Sequence, residues 1–143
     1  MDNQLVSVFK FIDYKVDYIN FKLNSGFTFE EPIDIDFDLR VEMAFNSEKP
    51  KGKITINAIV FDNAEENRFP FFLDIAVTGL FAGEDGMPIE EFRKYCETSG
   101  TAAMFPFLRS AIADITRTAN IESLILPIIN IRNLMKKDVE SKT

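Results

Sequence analysis

The segment from Ile33 to Phe45 alternates apolar and polar side chains without interruption. In an extended chain its apolar members point to one side and the charged members between them point to the other. A period of two residues is typical of a β-strand with one buried and one solvated face. The pattern therefore predicts a strand over residues 33–45.

Three further segments follow the same period. The first runs from Leu5 to Leu23 and changes phase after Tyr18, which predicts a β-bulge or a bend in one long strand. The other two segments cover residues 54–60 and 69–80. Because the connections are short, we expect the second, third and fourth strands to form an antiparallel meander.

The apolar period becomes helical after the fourth strand. It predicts a helix from Met87 to about Glu97 and a longer helix from Thr101 to Ala119. Residues 98–100, with the sequence Thr-Ser-Gly, offer capping side chains and predict a break between the two helices.

The remaining segments complete the expected architecture. Residues 62–67 are polar and predict a loop, residues 124–129 form an extended apolar run, and residues 131–137 predict a short basic helix. Four strands followed by helices predict an α+β fold, with two main helices on one face of a four-stranded antiparallel sheet. Without a linker or an internal repeat, residues 1–143 are expected to form a single domain.

The longer helix has an unusually wide apolar arc. One stripe consists of Phe105, Leu108, Ile112, Ile115 and Ala119, and a second of Met104, Phe107 and Ala111. Together they cover about 160° of the helix, whereas packing on one sheet needs only ~100°. The helix either sinks deeply into its own domain or also packs on another subunit. The second alternative makes Met104, Phe107 and Ala111 candidate residues of an oligomer interface.

Composition excludes several classes of function. The chain has no His and a single cysteine, Cys96. Without an imidazole, Ser-His-Asp and Cys-His catalysis are excluded, and zinc sites built from His and Cys lack ligands. We therefore expect no metal, no cofactor and no conventional enzymatic activity. One cysteine also excludes an internal disulfide and fits the reducing cytoplasm.

The charge of the chain limits its partners. The formal net charge is −7, which argues against nucleic acid or an anionic membrane as the main partner. No stretch approaches 18 consecutive apolar residues, and the first residues are not basic like those of a signal peptide. We expect a cytoplasmic protein that does not insert into a membrane.

A row of carboxylates is the most obvious polar feature. Asp34, Asp36 and Asp38 occupy the polar side of the predicted second strand. They could form a solvated sheet face, an acidic docking surface for a basic partner, or a metal or acid–base site that uses Asp34 or Asp36. The third alternative is the least favoured, because metal-binding oxygens usually converge from several segments.

The apolar run over residues 124–129 lies outside the helical pattern. It could pack on the sheet, or it could line a groove that accepts an extended apolar polypeptide. Phe27 and Phe29, in the connection between the first two strands, would then form the lips of the groove.

Three segments carry a resemblance to a known family. Residues 99–117 have the sequence SGTAAMFPFLRSAIADITR, with a Phe-Pro-Phe element inside the predicted helix. Residues 124–131 have the sequence LILPIINI, and residues 77–81 have the sequence VTGLF. Together these segments resemble the SecB protein-export chaperone family.

The resemblance implies an ATP-independent chaperone, or holdase, that assembles as a homotetramer and binds unfolded polypeptide clients. It places the client groove on Phe27, Phe29, Phe81, Leu124, Ile125, Leu126, Ile128, Ile129 and Ile131. In export members the client passes to the SecA motor, and the resemblance places that contact on Asp34, Asp36 and Asp38. The alternative within the family is a binding module dedicated to one partner, such as an antitoxin.

Overall fold

Four strands form one antiparallel sheet in the computed structural model, which describes residues 8–28 and 33–127. They are β1 (Phe9–Leu23), β2 (Phe37–Phe45), β3 (Lys51–Val60) and β4 (Phe71–Gly83). Their order across the sheet is β1-β4-β3-β2. The predicted meander of the second to fourth strands is therefore confirmed, and β1 pairs with β4.

The helices follow β4, apart from one short turn. The segment predicted as a loop contains α1 (Ala64–Asn67), and the two main helices are α2 (Ile89–Tyr95) and α3 (Thr101–Thr118). Among the described residues, no helix is both long and apolar enough to span a bilayer. The α+β class and the four-stranded sheet are confirmed. The basic helix predicted over 131–137 lies outside the described residues.

The predicted break between the two main helices is wrong. A π-helical turn, Cys96–Gly100, joins α2 to α3 without interruption. The hydroxyl of Thr98 donates to the carbonyl oxygen of Lys94, so it bonds back to the preceding turn and caps nothing. The turn brings Gly100 against the sheet, where a Cβ atom would lie 2.6 Å from Cδ1 of Ile54.

Alternation along β4 separates the two faces of the sheet. Phe71, Leu73, Ile75 and Val77 share the helix-covered face and are buried, as predicted. The residues between them point to the opposite side, which neither α2 nor α3 covers and which is called the open face below. On the open face the amide of Asn57 donates to the carboxylate of Asp74, and Thr55 and Thr78 form a hydroxyl–hydroxyl hydrogen bond.

Strand β1 contains two register shifts, at Phe11/Asp13 and at Val16/Tyr18. The second agrees with the change of phase predicted after Tyr18. The first was not predicted, because Phe11 and Ile12 are both apolar and leave the phase of the alternation ambiguous there.

Strand β2 begins at Phe37, four residues later than predicted. Its partner β3 ends at Val60, and Phe61 turns away with a φ of 55°. The N–H of Phe61 donates a 2.8 Å hydrogen bond to the carbonyl oxygen of Asp36, which closes the ladder. Residues 33–36 therefore precede the strand and do not belong to it.

Helix α3 packs on the sheet through Met104. A Cβ atom on Gly79 would lie 2.7 Å from Sδ of Met104, so the glycine makes room for this side chain. Met104 is fully buried inside its own subunit. The prediction that Met104 belongs to an oligomer interface is therefore wrong, because its side chain has no surface left for a partner. The first alternative, a deeply packed helix, holds for this residue.

Candidate functional site

An apolar groove of about 310 Å³ lies where the segment before β2, the start of β4 and the chain after α3 meet. All of its lining residues except two are apolar. They are Phe27, Ile33, Ile35, Phe61, Pro70, Phe71, Ile121, Glu122, Ser123, Leu124 and Ile125.

Three of the predicted groove residues come together here: Phe27, Leu124 and Ile125. Ile125 is the most open of them, with 63% of its surface exposed. Phe29, Ile128, Ile129 and Ile131 lie outside the described residues. The two sides of the predicted groove thus meet, although they are about a hundred residues apart in the sequence.

Two predicted groove residues are placed elsewhere. Phe81 is buried near the end of β4 and stacks on the ring of Phe9 at 5.2 Å, ten residues and roughly 33 Å of strand beyond Phe71. The side chain of Leu126 is also fully buried in the core. Assigning Phe81 and Leu126 to the groove surface was therefore wrong, because packing on the sheet encloses both.

The floor of the groove is formed by Phe61. Its left-handed backbone, with a φ of 55°, directs a buried ring against Phe69 and Phe71, at centroid distances of 4.8 and 5.0 Å. An aromatic residue with this φ is uncommon. No pattern in the sequence indicates it. Ile33 and Ile35 were also not assigned to the groove, although both belong to the apolar side of the predicted strand.

The wall opposite Phe27 is held by the end of α3. Asn120 follows the helix with a φ of 62°, and the N–H of Ile121 donates to the carbonyl oxygen of Thr116. This is a Schellman-type helix end, with Asn in the place usually taken by Gly. The hydroxyl of Thr116 then accepts a 2.9 Å hydrogen bond from the N–H of Leu124. The chain after α3 is thereby turned back along the helix.

The lip that carries Phe27 is held by Asn24. The side-chain amide of Asn24 donates to the carbonyl oxygen of Phe69 at 2.9 Å, and the backbone carbonyl oxygen of Asn24 accepts from the N–H of Phe27 at 3.0 Å. The connection after β1 is therefore tied to the start of β4, next to the groove floor.

The carboxylates predicted to form one row lie in two settings. Asp34 and Asp36 are exposed in the segment that precedes β2. Asp38 lies on the open face within β2, where Nε of Arg40 approaches its carboxylate to 3.7 Å. The guanidinium group of Arg40 therefore lies beside the last carboxylate of the row.

Comparisons with known proteins identify the family. The family model described as "Preprotein translocase subunit SecB" matches residues 18–142. The chain belongs to the SecB family. The resemblance noted over residues 99–131 is therefore confirmed, and SecB membership supports a chaperone-like role.

Two relatives illustrate the extent of the similarity. An uncharacterized protein of Methanocaldococcus jannaschii is 32% identical over 134 residues, covering 93% of this chain and 86% of the relative. The Rv1957 SecB-like chaperone of Mycobacterium tuberculosis, solved with a ChAD peptide from the HigA1 antitoxin, superposes with a TM-score of 0.69. The two share 16% identity over 85% of this chain and 91% of that one, which confirms the SecB-like fold.

Cys96 is the single cysteine of the chain. Cys96 is buried, and burial, with a smaller effect of the Glu97 charge, raises the pKa of its thiol to about 12. The thiol therefore stays protonated at neutral pH and is a poor nucleophile. Over residues 8–28 and 33–127 no cluster of three or more carboxylate or cysteine side chains could hold a metal ion.

Proposed function

We propose that the protein is an ATP-independent holdase that binds unfolded polypeptide segments in the groove between Phe27 and Ile125. The observation that carries the proposal is a concave surface, open to solvent and lined mainly by apolar side chains, in a chain of the SecB family. Burial of apolar client side chains against this surface would supply the affinity, and the proposed binding consumes no nucleotide.

The exposed apolar area sets the scale of the effect. Fully burying an isoleucine side chain contributes about 1.5–3 kcal/mol, and Ile125 still exposes 63% of its surface. Covering the exposed part of Ile125 with a client side chain would contribute about 1–2 kcal/mol. A client therefore needs several such contacts. An aspartate at this position would instead leave a charge against an apolar client.

The proposal is tested by titrating the protein with a fluorescently labelled, permanently unfolded polypeptide in the absence of ATP. The same polypeptide in its folded form is the control, and only the unfolded form should bind. We expect Ile125→Asp to weaken binding at least about tenfold. Ile12→Asp is the matched control, because Ile12 is 58% exposed and lies far from the groove in β1. Equal loss in both variants would contradict binding in the groove.

A second candidate is a binding module dedicated to one partner, such as an antitoxin. A fold neighbour favours this candidate. The Mycobacterium tuberculosis neighbour is itself bound to an antitoxin peptide. A panel of unrelated unfolded proteins separates the candidates: a general holdase binds most of them, whereas a dedicated module binds none with high affinity.

The holdase would act in the cytoplasm as a homotetramer. Supporting assembly of several subunits, β1 exposes an apolar row on the helix-covered face that consists of Tyr14, Val16 and Ile19. Phe107 of α3 packs beside this row on Tyr14 at 4.4 Å while remaining partly exposed. Within the described residues, β1 pairs on one side only, with β4. Both features favour contact with further copies of the chain, in which Phe107 and the half-buried Ala111 would take part.

Delivery of clients to SecA is the export form of the same proposal. The exposed carboxylates of Asp34, Asp36 and Asp38 would dock a basic surface of SecA, as the resemblance implies. Replacing all three aspartates by lysine, which reverses their charge, should abolish binding to purified SecA. Reversing Glu90 and Glu91, which are exposed on α2, provides the control. Unchanged binding of the triple variant would remove these residues from the proposal.

A further inference from the structure

A second depression, of about 560 Å³, lies on the open face, far from the groove. Its floor is made of small and medium apolar side chains contributed by three strands, and two lysines stand among them. These residues are Ile12, Ala44, Leu80, Ala82, Lys51 and Lys53. Ile12 and Leu80 are 58% and 38% exposed, so the apolar floor is in contact with solvent.

Three ammonium groups border this floor. Lys51 and Lys53 are two residues apart on β3, so their side chains leave the same face about 7 Å apart. Ala82 lies between Lys51 on β3 and Lys10 on β1 in the strand register. Within the described part of the chain, none of the three lysines has a carboxylate within ion-pairing distance.

Two acidic residues of the open face lie near these lysines without cancelling their charge. Glu42 on β2 faces Thr55 and is therefore diagonal to Lys53, and among the described residues no ion pair joins the two. Asp13 lies opposite Leu80, but its carboxylate is paired with Nζ of Lys15 at 3.1 Å. The hydrogen bond and charge of Lys15, together with a backbone hydrogen bond at Tyr14, lower the pKa of Asp13. This end of the open face is therefore basic, although the whole chain has a net charge of −7. A partner that docks here must bring negative charge beside an apolar surface.

The dimensions of the floor favour a helix as that partner. Lys51 and Lys53 on β3 and Lys10 on β1 lie on either side of β4. With strands about 4.8 Å apart, the surface between them is roughly 10 Å wide, close to the ~10–12 Å diameter of an α-helix. The other face of the same sheet already packs helices. We propose that the basic end of the open face docks an amphipathic α-helix of a partner protein, with its apolar stripe on Leu80 and Ile12 and flanking carboxylates on Lys51 and Lys53. This surface is separate from the client groove.

The test uses the full chain and a labelled synthetic helical peptide with one leucine stripe flanked by glutamates. A second peptide carries lysines in place of the glutamates, and a third is the glutamate peptide with a scrambled sequence. Fluorescence anisotropy should show the glutamate peptide binding about tenfold more tightly than either control peptide, with a preference that weakens as salt is added.

Variants locate the binding. Lys51→Glu/Lys53→Glu should remove the preference for the glutamate peptide. The matched double reversal Lys94→Glu/Arg117→Glu, on exposed helix positions, should leave it unchanged. Ile125→Asp should also leave it unchanged, which separates this surface from the groove whether or not the groove binds clients. Absence of binding, equal affinity for the three peptides, or retention of the preference in a folded Lys51→Glu/Lys53→Glu variant would overturn the inference.

Discussion

The Nε atom of Arg109 donates a 2.9 Å hydrogen bond to the backbone carbonyl oxygen of Leu126. Two residues earlier, the N–H of Leu124 is held by the hydroxyl of Thr116. The residue between these two anchors is Ile125, which projects into solvent at the groove. Helix α3 therefore holds both neighbours of the most exposed apolar side chain of the groove wall.

Replacing Arg109 by methionine should destabilise the protein by about 1–2 kcal/mol, because a charged donor to a partly buried carbonyl is lost. Urea denaturation measures the change. Arg117→Met is the control. Within residues 8–28 and 33–127 the side chain of Arg117 makes an exposed ion pair with Asp114, whose loss should cost about 0–1 kcal/mol. If both variants lose the same stability, Arg109 does not anchor the wall.

Replacing Thr116 by valine keeps the shape of a buried residue and removes its hydroxyl. The N–H of Leu124 then lacks its acceptor, and we expect a loss of about 1–3 kcal/mol. The rate of amide hydrogen exchange should rise more at Leu124 than at the other amides of the chain. Thr116→Ser retains the hydroxyl and should preserve the slow exchange. Unchanged exchange in the valine variant would show that another group satisfies this N–H.

The sequence predicts the sides of the groove better than its floor. Ile125 was assigned because residues 124–129 form an apolar run outside the helical pattern, and the SecB resemblance places the client groove on this run and on Phe27. Phe61 was missed, since it follows a strand without interruption and its left-handed backbone depends on packing against Phe69 and Phe71. Such a conformation is decided by tertiary contacts, which no local pattern records.

The helical period also does not show whether an apolar side chain of α3 is enclosed within its own subunit or left on the surface. Met104 and Phe107 were assigned to one stripe, but Met104 is enclosed above Gly79 and Phe107 remains partly exposed. The difference arises because Gly79 allows a close approach of the helix over β4, whereas Phe107 lies over the outer strand β1, on the rings of Phe11 and Tyr14. The position of a glycine on another element therefore decides which residues are enclosed.

Adding a methyl group at Gly79 should disturb this approach. The new Cβ atom would lie 2.7 Å from Sδ of Met104, so we expect Gly79→Ala to destabilise the protein by about 1–3 kcal/mol in thermal or urea unfolding. Gly26→Ala is the control, because its nearest neighbour is 3.7 Å away. In the double variant Gly79→Ala/Met104→Ala, the loss of stability should be smaller than the sum of the losses in the two single variants. Strict additivity would show that the two side chains do not compete for space.

The buried thiol of Cys96 should make stability sensitive to alkaline pH. Burial, and to a lesser degree the Glu97 charge, raises its pKa from 9.0 to about 12. Between these values the unfolded chain releases a proton that the folded chain keeps, so the free energy of unfolding falls as pH rises above about 9. Urea denaturation between pH 8 and pH 10.5 should show a shallower decline for Cys96→Ala than for the wild type. Equal slopes would contradict the shifted pKa.

The exposed face of β1 gives a prediction about assembly. Ile19 is 51% exposed and lies opposite Ile75 in the register, so it shares the helix-covered face with the core but is left uncovered by α3. If this row joins copies of the chain, Ile19→Asp places a charge in the interface and should lower the mass measured by light scattering. The expected change is from four 16.4 kDa subunits to two or one. Ile125→Asp, at a groove position that is also more than half exposed, should keep the wild-type mass. A folded Ile19→Asp variant that remains tetrameric would exclude this face of β1 from the interface, and a monomeric wild type would contradict the tetramer itself.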